Sequence, residues 1–158
     1  MLEQFLSIIS PLCQTPPVAD ESCTPKAIKI SSGDLLVVMD ALYKSPATYF
    51  DMLSCVTGVD NGVDTGTMEV AYNLYSIPFN YHLMIKVVLP REKPEVESVS
   101  MIWKTANWQE REIFDMYGIH FKNHPDLRRI LMPADWEGHP LRKDYKQQEY
   151  YRDIRVEY

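Results

Sequence analysis

Between Met68 and Leu89 the chain alternates with a period of two. Met68, Val70, Tyr72 and Leu74 stand against Glu69, Ala71, Asn73 and Tyr75, and Leu83, Ile85, Val87 and Leu89 against Met84, Lys86 and Val88. A strand with one buried face produces that alternation. Pro78-Phe79-Asn80-Tyr81 separates the two runs, which predicts an antiparallel hairpin. Ala27, Ile28 and Ile30 predict another short strand, and Val96–Trp103 a further strand or a short helix followed by one. A helical period occurs elsewhere. Leu2, Phe5, Leu6 and Ile9 predict a short amphipathic helix over 2–9, broken by Pro11, Pro16 and Pro17. Leu35, Leu36, Met39 and Leu42 predict a helix to about Tyr43, capped by Ser32. Residues 13–25 read as a polar connector, and Tyr49–Leu53 as one more helical turn. Cys55–Val59 leads into the loop Asp60–Gly66.

A last helix is predicted from Asn107 to Tyr117. Asn107 and Glu110 have the spacing of a capping box, and Gly118 is a left-handed terminator. Ile113, Met116 and Tyr117 share its apolar face, and Arg111 and Asp115 are spaced to pair on its surface. These elements predict an α+β fold, a small mainly antiparallel sheet with helices packed on one face. Residues 1–117 form this domain and 118–158 an extended, irregular C-terminal tail. Pro125, Pro133, Gly138 and Pro140 interrupt the tail, yet it keeps Leu127, Ile130, Leu131, Met132, Trp136 and Leu141. Large apolar groups without a regular element need a surface to lie against. Together with Arg128, Arg129 and Arg142 they have the composition of an interface core, so the tail is expected to dock on a partner.

Charge sharpens this division. The net charge is −6, but Trp103–Tyr158 holds ten Lys and Arg against ten Asp and Glu, so the acidic excess lies in the first 102 residues. A neutral, mixed tail on an acidic body fits burial against a partner. At 158 residues the chain has the length of one domain with a sizeable core. No run approaches the 18 apolar residues of a spanning helix, and MLEQFLSIIS lacks the early base of a secretory signal, so the protein is expected to stay where it is made. Cys13, Cys23 and Cys55 are odd in number and widely spaced, which reads as free thiols, not as disulfides or cluster ligands.

Candidate chemistry is sparse. His120 and His124 are four apart, a zinc-binding spacing on a helix, but Gly118 and Pro125 bracket them and argue against a shared helical face. Glu110, Glu112 and Asp115 could form an acid–base set, but 110 and 112 point to different helix faces, and ion pairs with Arg111, Arg128 or Arg129 are the expected use. The acidic loop 60–66 lacks the closing Glu of a calcium loop and reads as a turn. There is no nucleophile with its base, no phosphate loop and no dinucleotide fingerprint. Acids match the bases around Arg128-Arg129 and Arg142-Lys143, which argues against nucleic acid.

The run EREIFDMYGIHFKNHPDLRRIL (Glu110–Leu131), followed by MPADWEGHPLRKDY (Met132–Tyr145), closely resembles the 30-kDa subunit family of respiratory complex I, the C-subunit of the bacterial NADH-quinone oxidoreductase. The matching positions are Glu110, Arg111, Glu112, Asp115, Gly118, His124, Pro125, Leu127, Arg129, Trp136, Pro140, Leu141, Arg142, Lys143, Asp144 and Tyr145. The motifs cover about 40 residues, and upstream of Trp103 the likeness is one of layout. The resemblance implies a non-catalytic structural subunit in the peripheral arm of the proton-translocating enzyme. The tail would lie on the 49-kDa-type D-subunit of complex I, with the cluster-bearing subunits B and I nearby. The complex uses FMN, iron–sulfur clusters, NADH and quinone, none of them bound by this chain. It would sit on the cytoplasmic face of the bacterial inner membrane, associated with the membrane only through the complex. The chain stops soon after the RKDY run, where many relatives extend further. Arg142→Ala is expected to impair assembly and leave the isolated fold intact. Three alternatives stand: the same scaffold in a membrane-bound hydrogenase or a ferredoxin- or F420-dependent relative, a stand-alone metal-dependent hydrolase using His120 and His124, and a free-standing adaptor that binds another protein outside any respiratory complex.

Overall fold

A computed structural model describes residues 2–156, so the last two positions of the predicted tail lie outside the described residues. Along the chain run α1 (Leu2–Ile9), β1 (Val18–Asp20), β2 (Ala27–Ile30), α2 (Leu35–Lys44), β3 (Met52–Asp60), β4 (Thr67–Ser76), β5 (Tyr81–Pro90), β6 (Glu95–Glu97), α3 (Ala106–Tyr117), β7 (His120–Lys122), β8 (Tyr150–Tyr151) and β9 (Ile154–Arg155). The α+β class and the mainly antiparallel sheet are as the pattern predicts. The five-stranded sheet has the order β1-β2-β5-β4-β3, and only the β2–β5 pairing is parallel. The hairpin β4–β5 is its centre, in register from Thr67↔Pro90 to Ser76↔Tyr81.

One face carries the core. Tyr72, Leu74, Leu83, Ile85 and Val87 bury against Phe5 and Ile9 of α1 and Leu35, Val38, Met39 and Leu42 of α2. The other face is solvated, and there Asp20 pairs with Lys29 and Lys86 at 3.2 and 3.1 Å.

The local differences from expectation have local causes. Tyr49–Leu53 is not a helical turn. Ser45 N–H bonds Ala41 O as α2 ends, Tyr49 has φ 35°, and β3 begins at Met52. A bulge between Leu53 and Cys55 breaks the alternation of β3 and hides its period. The polar connector contains the edge strand β1, whose Val18 and Ala19 are exposed and so show no apolar face. Val96–Trp103 supplies only β6, which pairs in parallel with β7 in a separate two-stranded sheet. Ser31, not Ser32, makes the cap: it accepts from Gly33 N–H and opens a 3-10 turn ahead of α2.

Helix α3 lies along the edge strand β3. Thr105 Oγ1 donates to Leu53 O at 3.4 Å, and Gln109 Oε1 accepts from Val56 N–H. Gly58 faces Ile113 and Tyr117, and a Cβ there would stand 2.9 Å from each. Positions 105, 109, 113 and 117 form one stripe at i, i+4, so the helix covers part of the edge that β3 would otherwise present. The capping box is absent, because no side chain caps α3 and Glu110 turns inward.

Candidate functional site

The tail first serves α3. A helix leaves its last four carbonyls without helical partners. Here Gly118 N–H bonds Phe114 O at 2.9 Å, His139 Nδ1 bonds Asp115 O at 3.0 Å, Leu141 N–H bonds Met116 O at 3.0 Å and Arg142 Nε bonds Tyr117 O at 2.7 Å. The run His139-Pro140-Leu141-Arg142 is thus a C-cap supplied from a distance. Gly118 has φ 74°, and a Cβ on it would come within 2.5 Å of His139 Nε2. Only glycine fits both the backbone and the approach.

Asp115 anchors the middle of the tail. It is fully buried, its Oδ2 accepts the N–H groups of Ile130, Leu131 and Met132 at 2.9, 2.7 and 3.0 Å, and its Oδ1 pairs with Arg129 at 2.9 Å. Burial pushes this carboxyl up, but the three N–H groups and Arg129 outweigh it and hold the group below the usual carboxylate range. Arg129 also donates to the carbonyls of Trp136 and Gly138, closing the turn between them. The expected Arg111–Asp115 pair is not made. Arg111 reaches Arg128 O and Asp126 instead and lies 4.7 Å over the Trp108 ring.

Glu110 is buried on the core side. It accepts from Ser98 Oγ at 2.6 Å and Val99 N–H at 2.8 Å. Burial pushes its pKa up to about 7, and the two bonds only partly oppose this. The His124 side chain is buried beside it at 3.8 Å, too far for a hydrogen bond. Its Nε2 bonds Asn107 O and its Nδ1 accepts from Asp126 N–H. Both ring nitrogens are satisfied in the neutral form, and burial lowers its pKa.

The third attachment carries no signal in the sequence pattern. Asp60, at the end of β3, accepts Gly62 N–H, Lys143 N–H and two donors of Arg91. Arg91 also grips Asp144. The hydrogen bonds of Arg91 lead the forces that hold the Asp60 carboxyl far below its usual range. Lys143 and Asp144 therefore tie the tail to the sheet's loops. Before folding, the clue is a solitary Arg91 in a charged loop and an Asp at a turn, neither of which stands out.

What remains exposed is a different set. Trp108, Leu131 and Leu141 are 63%, 60% and 52% exposed, and Glu112 is exposed with no hydrogen bond or ion pair among the described residues. Pro125 and Leu127 carry the chain from β7 back to α3, with Leu127 against the core. Trp136 packs against Tyr151 with the rings tilted and their centroids 5.2 Å apart, and donates to Tyr145 OH. The motif thus splits into groups that hold the tail down and groups that face outward.

The geometry gives the metal-hydrolase alternative no support. His120 is exposed on β7 with its ring edge-on to Phe114, while His124 is buried with both nitrogens engaged. Among the described residues no three His, Cys, Asp or Glu side chains converge as a metal-binding group, and no helix is long and apolar enough to cross a membrane.

Residues 28–151 match the family described as the respiratory-chain NADH dehydrogenase, 30 Kd subunit. The NADH-quinone oxidoreductase C-subunit of Chloroherpeton thalassium is 52% identical over 110 residues, which span 69% of this chain and 45% of that protein. The corresponding C-subunit of Geobacter metallireducens is 44% identical over 119 residues, 75% of this chain and 72% of that protein. The chain thus spans about half the length of the first relative and more of the second. Among solved structures, the trypsin-resistant fragment (1-134) of Nqo5 superposes with TM-score 0.65 at 25% identity, covering 80% of this chain and 98% of that one. A chain of the membrane-bound sulfane sulfur reductase, an archaeal respiratory membrane complex, shares the fold with TM-score 0.72 at 20% identity over 92% of this chain and 83% of its own.

Proposed function

The chain belongs to the family of the 30-kDa subunit of respiratory-chain NADH dehydrogenase, and from that premise we propose that it is a non-catalytic scaffold of a proton-translocating NADH-quinone oxidoreductase. The observation that carries this reading is how the motif's polar groups are spent. Glu110, Arg111, Asp115, Arg129, His139 and Arg142 all bond backbone groups of α3, the tail or the Ser98–Val99 segment. A catalytic acid or base must reach a substrate, whereas these groups build a stiff, irregular surface. On that surface the exposed Trp108, Leu131 and Leu141 have the character of interface anchors.

In this reading the tail lies on the 49-kDa-type D-subunit, with subunits B and I close by. FMN, the iron–sulfur clusters, NADH and quinone belong to the rest of the complex. The chain is held at the cytoplasmic face of the inner membrane through its partners alone. Its contribution to electron transfer is to keep the quinone-reducing module assembled. The test is co-purification of the tagged chain from gently solubilised membranes, read by mass spectrometry. Recovery of subunits B, D and I with NADH-oxidising subunits is the expected result. Recovery with a nickel-binding large subunit would move the scaffold to a hydrogenase, and recovery alone would overturn the assembly reading.

A further inference from the structure

Beside the stripe that α3 lays on β3 there is a cleft of about 250 Å³, walled by Ile113, Met116, Tyr117 and Leu141 and floored by the backbone of residues 55–58. Three features of this cleft belong together. The first is its edge. In an antiparallel pair, alternate residues bond the neighbour and the others turn outward. Val56 N–H meets Gln109, so Val56 and Gly58 are the outward residues of β3, and their carbonyls face away from β4. The second is Glu112 at the rim. Of the three acids on α3 it is the one whose carboxylate bonds nothing among the described residues, whereas Glu110 and Asp115 are buried and saturated. The third is the field. No Lys or Arg lines the cleft. After burial, the nearby charges of Asp60 and Glu112 raise the pKa of the Tyr117 hydroxyl; Asp60 is already paired with Arg91, which leaves Glu112 as the unpaired charge at the rim.

We propose that this cleft receives an arginine side chain of a partner subunit. The proposal deepens the assembly reading above and rests on it. The volume suits one long side chain, and the apolar walls cover an aliphatic stem. The occupant must also be a cation that donates in more than one direction, to the Glu112 carboxylate and to the outward carbonyls of β3. A guanidinium does this and stacks on an aromatic ring such as Tyr117, which a lysine ammonium does less well. Glu112 is then the specificity residue of the docking surface, and the neighbouring Leu141 on the tail makes the cleft continuous with the tail's outer face.

The test uses the complex in its own membranes, with p-benzoylphenylalanine in place of Thr57, an exposed residue at the cleft. Irradiation should cross-link it to an arginine-containing peptide of another subunit. Glu112→Gln should lower that yield at least about tenfold, and Glu112→Asp should keep most of it. A cross-link to this chain's own tail, to a second copy of it or to a peptide without arginine overturns the proposal, as does an undiminished yield in Glu112→Gln. Native Cys55, also exposed at the cleft, gives an independent reading. Its alkylation by N-ethylmaleimide should be at least about tenfold slower in the complex than in the isolated chain, and equal rates overturn the proposal. Co-purification separates the two readings. If no respiratory subunit accompanies the chain, the assembly reading falls and takes the cleft with it. If the subunits are present but Thr57 and Cys55 report nothing, the cleft proposal alone falls.

Discussion

Glu110 shows how one side chain can be read correctly as important and wrongly as to place. Its spacing from Asn107 fits a cap, but the position also faces the core, and the core wins. The carboxyl is taken by Ser98 and Val99 in a setting that favours the protonated acid. The consequence for stability has a definite sign. A carboxyl raised from an ordinary value near 4.5 to about 7 binds its proton more tightly when folded. Its contribution is full below pH 4.5 and is lost as pH rises through 7. Wild type should therefore lose up to about 3 kcal/mol between pH 5 and 8 through this group. Glu110→Gln, which keeps an acceptor for Val99 and a donor for Ser98, should flatten that dependence. Urea unfolding midpoints at the two pH values measure it, and an equal slope in both proteins would show that Glu110 is charged throughout.

At the scale of the element, α3 is defined less by its own sequence than by its surroundings. One stripe lies on β3, the buried Glu110 faces Ser98 and Val99, a third side is covered by Asp126–Met132, and its C-terminus is closed by His139–Arg142. The motif alone points Arg142 at a partner and leaves the free chain intact without it, but its Nε bonds Tyr117 O within the chain. Arg142→Ala should leave that carbonyl unsatisfied and cost the isolated protein about 1 kcal/mol, a fall in Tm of roughly 2–4 °C. Calorimetry of the purified chain checks this. An unchanged Tm would return Arg142 to a purely external role. The helix was legible because Gly118 and the apolar face at 113, 116 and 117 are local signals. The edge strand β3 was not, because a bulge and a buried glycine hide its period.

For the whole molecule the question is how an irregular tail stays ordered. Two carboxylates of the folded domain and one of the tail are committed to this: Asp115 on the backbone of 130–132, Asp60 on Lys143 N–H, and the tail's own Asp144 on Arg91. Arg91→Ala removes the bridge between Asp60 and Asp144 without touching the core. At pH 7 trypsin should then cut after Arg142, Lys143 or Lys146 at least about tenfold faster, because cleavage follows local opening, while amide exchange in β4 and β5 stays as in wild type. Unchanged cleavage would show that the Arg129 and Asp115 anchor suffices. In the wild-type chain the folded pKa values of Asp60 and Asp115 are depressed. Their contribution is present above about pH 4 and is lost as pH falls below it, so acid should release the tail before it melts the sheet.

The sequence by itself determined the β4–β5 hairpin, the two amphipathic helices on its face, the glycine stop of α3 and the family, because each rests on a local period or a contiguous motif. Only the tertiary structure decided what the motif's charges do. Arg91 and Asp144 are 53 residues apart, and Lys143 and Asp60 are 83 apart. A pairing across such distances leaves no periodic trace in one chain. It also took the folded chain to separate Glu112 and the exposed Leu141 from the buried Glu110 and Asp115. All carry the same sequence signal, and what distinguishes them is what packs beside each: the Ser98–Val99 segment covers Glu110, the returning tail covers Asp115, and nothing among the described residues covers Glu112 or the outer side of Leu141.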